Sequence, residues 1–350
     1  MASIAGRPPT PVGPAGDSLP GTHGAPRRGY LHLMLTPKAR GALSEALFEA
    51  MRARPAALPA VSAMRPESRD DEQVALWALY ELHHRGFDDV DDRLEWDPDL
   101  LALRRHLETA FEGRLRERWR PPADLPDPGS FVEDFFAYVE GHDGASLAAH
   151  VQRDADTEQV LDLFRLRSVY HLKEADPTAW VVPRLDVRAK AALMELQYDE
   201  YGVGDPARLH AHLFARGLQA CGLSAEYGAY LDDVPVEVLE QNNAMSLFGL
   251  HRRLRGAALG HLAAFEATSS LPSRRMSQGL TRLGLAQEMV HYYEEHVEAD
   301  AVHEQLAVRS ICGSLVDAEP ALVGDVFFGA FSCLDLEDRV ARTVLAEWAA

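Results

Sequence analysis

Three cysteines in 350 residues, Cys221, Cys312 and Cys333, are too few and too far apart for a disulfide scaffold. No C-x-x-C pair is present to build a thiolate zinc site. This usage fits a reducing cytoplasm. Lysine is nearly missing as well, occurring only at Lys38, Lys173 and Lys190, and the 35 Lys and Arg stand against 54 Asp and Glu for a net charge of −19. Proteins that track a phosphate backbone concentrate positive charge to replace counterions, so a nucleic-acid partner is not expected, nor is an anionic membrane. The chain also lacks any run of ~20 uncharged apolar residues, and no apolar stretch follows Met1, which argues against a membrane span and a signal peptide.

What remains is the composition of a folded protein, 47% hydrophobic and 25% charged. Residues 1–28 interleave Pro8, Pro9, Pro11, Pro14, Pro20 and Pro26 with glycines and are expected to be disordered, having too little apolar surface to offset ordering entropy. From Tyr30 onward the apolar spacing is helical. Ala42, Leu43, Ala46 and Leu47 mark one amphipathic stretch and Val74, Trp77, Ala78 and Leu82 a second. Asp97-Pro98 opens a third, Asp as N-cap and Pro at the first helical position.

These form a helical N-terminal unit over residues 29–125, expected as a dimerisation element of a homodimer. The prolines at 121, 122, 126 and 128 end it. Residues 126–350 then show helical windows at about 131–141, 156–176, 186–201, 206–221, 234–268, 272–283, 286–313 and 318–346, with no convincing alternating strand. The predicted class is all-α, a bundle of helices with its function in the interior.

Several signatures fail on context. Gly202-Val203-Gly204-Asp205-Pro206-Ala207 fits a loose dinucleotide string but follows a helix, not a strand. His303-Glu304 lacks the second histidine of a zinc protease, position 307 being Ala. The acidic run from Asp88 to Asp99 lacks the central glycine of a calcium loop and reads as a solvated turn.

One pattern survives. His296, Asp300 and His303 lie at i, i+4 and i+7 on a row shared with Met289, Tyr293 and Ala307, so ionisable groups face the core. The row Leu163, Leu166, Tyr170 leads to Glu174, and Leu193, Leu196 lead to Glu200. His210 comes early in the next helix, and Glu266 continues the row of Leu259 and Leu262. A single inward His or Glu is more often structural. Several together are strongly unfavourable without a cation, and mixed carboxylate and imidazole donors without thiolate favour iron or manganese over zinc.

The segments Tyr170-His-Leu-Lys-Glu174-Ala-Asp-Pro, Glu195-Leu-Gln-Tyr-Asp-Glu200-Tyr-Gly-Val-Gly with His210-Ala-His-Leu-Phe, and His296-Val-Glu-Ala-Asp300-Ala-Val-His303-Glu resemble the haem-oxygenase-like di-iron oxidases, the iron-containing redox enzymes. The resemblance covers about residues 130–345, and Leu79-Tyr-Glu-Leu-His-His-Arg-Gly-Phe is similar to the helical extension of actinobacterial members. It implies a seven-helix bundle of haem-oxygenase topology holding two irons and not haem. Glu174 is similar to the carboxylate bridging both irons, His210 and His296 to ligands of one site, and Glu200, Asp300 and His303 to those of the other. Glu266 is a further candidate ligand, with a salt bridge to Arg252, Arg253 or Arg255 as the alternative.

The activity implied is an O2-dependent oxidase or oxygenase performing N-oxygenation, desaturation or oxidative C–C cleavage on a small amino-acid-derived or fatty-acid substrate, with an external electron donor where needed. Two alternatives stay open at this point: a non-catalytic iron-binding scaffold, and a haem enzyme on the same topology. Tyr170, Trp180, Tyr201, Phe265 and Tyr293 are candidates to line the pocket, although core packing is the commoner role for each.

Overall fold

The computed structural model describes residues 34–350 except 54, 123 and 124, together with all of their side chains but those of 56 and 298–301. The proline- and glycine-rich tail therefore lies outside the described residues. Among them there is no strand.

The N-terminal helices start where their caps place them. After α1 (Ala42–Ala53) and the single turn α2 (Leu58–Val61), Ser68 accepts from the Asp71 amide to open α3 (Arg69–Glu81). Asp97 accepts from the amides of Asp99 and Leu100, with Pro98 at the first position, to open α4 (Pro98–Arg118) as the sequence predicts. In the acidic run before it, Asp89 accepts from Thr36, 53 residues away in the chain, and Asp91 from the Arg93 amide.

Beyond the proline cluster follow α5 (Phe131–Glu140), α6 (Leu147–Arg153), α7 (Thr157–His171), α8 (Asp176–Ala179), α9 (Val187–Glu200) and α10 (His210–Ala220). The chain then runs through α11 (Val236–Leu250), α12 (Arg255–Leu283), α13 (Gln287–Gln305), α14 (Ser314–Ala318) and α15 (Val323–Trp348). Helix α13 continues directly into a π-helix, Leu306–Gly313, a wider turn that recurs near functional sites. Helix α12 is the axis of the packing, with α6, α13 and α15 laid along it. Gly260 and Gly329 bring α12 and α15 together, because a Cβ on either would run into the facing carbonyl, of Val326 or of Ala257.

Helices α3 and α4 pack into the same body. Arg69 donates to Glu240, the Asn243 amide to the Gln73 carbonyl, and Arg253 to Glu112, while Trp119 stacks on Phe328. The described residues make one compact unit.

Three helix boundaries differ from the periodicity. The 156–176 window stops at His171, and Ala175 takes a left-handed φ of 71° ahead of the single turn α8, which Pro177 enters near its start. The 234–268 window is two helices, because the Arg184 guanidinium takes the Gly249 carbonyl (2.6 Å) and His251 is extended. Pro272, expected to interrupt, lies inside α12, which neighbouring helices support along its length.

Candidate metal centre

The carboxylates and imidazoles singled out in the sequence arrive from separate elements. Glu174 is not on a helix: it sits in the turn between α7 and α8, next to the strained Ala175. That turn is clamped on both sides. Arg85 donates to the Leu172 carbonyl (2.7 Å), buried Lys173 meets buried Glu81 (3.2 Å), and the Tyr201 hydroxyl donates to Asp176 (3.1 Å).

Glu200 is the last residue of α9 and His210 the first of α10. The Gly202-Val203-Gly204 turn reverses the chain with three consecutive positive φ angles, and Gly202 lies so close to the backbone of Arg208 and Leu209 that a side chain has no room. The reversal sets His210 Nδ1 3.1 Å from Glu200 Oε2. The string that imitates a dinucleotide motif is thus the hairpin that joins two candidate ligands.

Two buried groups result, each with donor atoms within 4.8 Å of one another: Glu174, His210 and His296, and Glu200, Glu266 and His303. The His210 and His296 rings are 4.6 Å apart, and Glu200 reaches histidines of both groups, its other oxygen lying 3.6 Å from His303 Nδ1. Glu266 Oε2 is also 3.6 Å from His303 Nδ1. Its arginine alternatives are engaged elsewhere, Arg253 with Glu112 and Arg255 with Glu319. Asp300 lies within α13, but its side chain is outside the described residues. The carboxylate linking the two groups by distance is Glu200, whereas the contacts of Glu174 are with His171, Tyr292 and His296.

Hydrogen bonds fix which ring nitrogen faces each group. His296 Nδ1 must donate to the Tyr292 carbonyl (2.7 Å), since a carbonyl only accepts, so Nε2 points at Glu174 (3.7 Å). His303 Nε2 donates to Asp199 (2.8 Å), which turns Nδ1 toward Glu200 and Glu266. Such outer bonds from carbonyl and carboxylate to the far ring nitrogen are how metal-bound imidazoles are oriented. The buried Nδ1 atoms of His210 and His303 make no hydrogen bond.

The electrostatics describe a site built around positive charge. Burial works to raise the Glu174 carboxyl, yet His171 and His296 hold it well below the usual range. Burial and the nearby Glu200 push Glu266 up against the pull of His303. Burial alone would lower the His303 imidazole, but Glu266, Glu200 and Asp199 raise it to about 9. Three buried carboxylates so close together favour a cation in the space between them.

Three participants escaped the sequence reading. Tyr292 donates to Glu174 (3.0 Å) and touches His171 Nδ1 (2.8 Å), and Asp199 orients His303. The only sequence trace of Tyr292 is its place four residues before His296, one turn up the same face. Of the five candidate aromatics, Tyr170, Phe265 and Tyr293 line a cavity of about 270 Å³ that ends on Glu174 and His296. Trp180 and Tyr201 do not line it.

A family model described as "iron-containing redox enzyme" matches residues 161–338, just over half of the chain, from α7 into α15. Comparison with curated proteins gives no match. The chain belongs to the iron-containing redox enzyme family, and its all-α fold is of the haem-oxygenase-like kind.

Proposed function

We propose that this iron-containing redox enzyme is a non-haem di-iron oxygenase or oxidase, with one iron held by Glu174, His210 and His296 and a second by Glu200, Glu266 and His303, Asp300 adding to the latter. The observation that carries the reading is the pairing of two adjacent three-residue groups of carboxylate and imidazole, with ring nitrogens turned inward by outer hydrogen bonds. The donor set fits iron: hard carboxylate oxygens and imidazoles, with no thiolate. The hollow among Glu174, Glu200, Glu266 and His296 has room for about 10 Å³, the scale of a water-sized occupant, which suits ions and not a porphyrin.

Ferrous ions bound there would supply electrons to O2 for oxidation of a small substrate in the adjoining cavity. The chain's own residues do the rest. Tyr292 holds Glu174 by one oxygen, leaving Oε1 toward His296, and Asp199 locks the His303 tautomer. The apolar walls formed by Leu163, Met245, Phe265 and Met276 limit water at the reacting end.

Anaerobic titration with Fe(II) should saturate at two ions per chain, and mixing with O2 should consume gas in proportion to bound iron. A single zinc ion per chain, or stable iron with no O2 uptake, overturns the reading in favour of a metal-tied scaffold.

A further inference from the structure

The cavity beside the proposed metal centre carries polar groups that nearly all satisfy one another. Arg167 and Glu337 form a two-pronged pair (2.9 Å for Nη1 to Oε2), and the Gln241 amide donates to the same carboxylate (2.7 Å), so neither charge faces the cavity alone. The Thr268 and Ser269 hydroxyls donate back to the carbonyls of Ala264 and Phe265. Burial raises the Cys333 thiol far above its ordinary range, leaving it uncharged.

Apart from the proposed metal ligands, His261 is the exception. It is 6% exposed and lines the cavity, yet its Nε2 makes no hydrogen bond. The ring packs edge-on to Phe248 at 6.2 Å, and burial lowers its pKa to about 4, so the imidazole is neutral. A buried polar atom without a partner costs on the order of 1–3 kcal/mol, a penalty that a bound ligand group removes. The Gly260 contact with α15 fixes this stretch of α12. Five residues on, about 7.5 Å along the helix axis, Glu266 lines the small hollow among the proposed ligands.

We infer that this cavity is the substrate chamber and that His261 is its specificity-determining residue, receiving the single uncharged hydrogen-bonding group of a small, otherwise apolar molecule: an alcohol, an amide or a nitrogen heterocycle. The inference rests on the di-iron reading for the word substrate, though not for the binding. The volume lies just under the ~300 Å³ lower bound of small-molecule sites, which limits the ligand to a compact one. An anionic group beside His261 meets no free cation, because Arg167 is already neutralised by Glu337, and its desolvation goes uncompensated.

The test is a matched six-carbon series, hexan-1-ol and hexanamide against hexanoate and hexylamine, titrated by ligand-detected NMR into the full chain, both chelator-stripped and loaded anaerobically with Fe(II). The two neutral probes should bind at least about tenfold tighter than hexanoate on stripped protein, and than hexylamine on iron-loaded protein, in which the ligand carboxylates are occupied. His261→Phe should weaken the neutral probes about tenfold and His261→Gln, which keeps a nitrogen near the Nε2 position, only a few-fold, with iron uptake as in wild type. Hexanoate binding as tightly as hexan-1-ol to stripped protein, hexylamine doing so on iron-loaded protein, or unchanged affinity in His261→Phe, overturns the inference. Wild-type protein that takes up no iron while the probe pattern holds would sink the di-iron reading and leave the neutral-ligand chamber supported.

Discussion

Replacing Lys173 with Met tests whether the N-terminal helices hold the turn that carries Glu174. Lys173 and Glu81 are 1% and 0% exposed, their charged atoms 3.2 Å apart, and the Tyr227 hydroxyl donates to the same Glu81 oxygen at 2.8 Å. The ammonium also lies over the Trp77 and Tyr227 rings at 5.3 and 5.7 Å. Lys173→Met leaves a carboxylate buried without its cation, a change that costs about 3–5 kcal/mol, whereas removing both charges together costs far less. Lys173→Met with Glu81→Met should therefore recover most of the loss, with a coupling energy of about 2–3 kcal/mol in the double-mutant cycle. The assay is urea unfolding of chelator-stripped protein, so that metal binding does not add to the folded state. Because Lys173 adjoins Glu174, the single variant should also bind Fe(II) more weakly, and the double variant should regain part of that affinity. A single-variant cost below about 1 kcal/mol, or a double variant as unstable as the sum of the singles, refutes the reasoning.

Asp199→Asn removes the carboxylate that holds the His303 ring, and iron affinity at that group should fall about 10- to 100-fold while the other group still loads, as read by stepwise Fe(II) titration. In protein stripped of metal, the His303 pKa of about 9 lies above its unfolded value of ~6.5, so its contribution of about 3 kcal/mol is complete below pH 6.5 and lost as pH rises through 9. The stability gap between wild type and His303→Gln should close over that window, and a gap that stays flat contradicts the assignment. Gly260→Ala drives a Cβ into the Val326 carbonyl and should cost about 3 kcal/mol or more, lowering the thermal midpoint. Unchanged melting would mean that α12 and α15 can separate freely.

Periodicity located the helices because each buries one face, and caps such as Asp97-Pro98 are local events that a short stretch of chain controls. It misjudged ends that are decided by distant groups. The break after Leu250 depends on Arg184 taking a carbonyl from 65 residues away in the chain. The continuity of α12 through Pro272 likewise depends on helices packed around it.

The candidate ligands were legible for a related reason. Glu200, Glu266, His296 and His303 each stand where an apolar row would otherwise continue, and a buried ionisable group violates the pattern in a way that a sequence displays directly. Glu174 was reached by extending a helix that ends three residues earlier, and it joins its buried group from a turn and not from that helix. Asp199 and Tyr292 broke no pattern, since an Asp near a helix end and a Tyr on a core row are both ordinary.

The sequence by itself determined an acidic, cysteine-poor, all-α chain with misplaced ionisable residues on core-facing rows, because composition and period are properties of the string. Only the tertiary structure decided which of those residues meet. It grouped Glu266 with His303 and freed it from its neighbouring arginines, set Glu200 between the two groups, and left His261 facing a cavity with an unsatisfied nitrogen. Those outcomes turn on distances between segments far apart in the chain, which helix packing sets and no local pattern encodes.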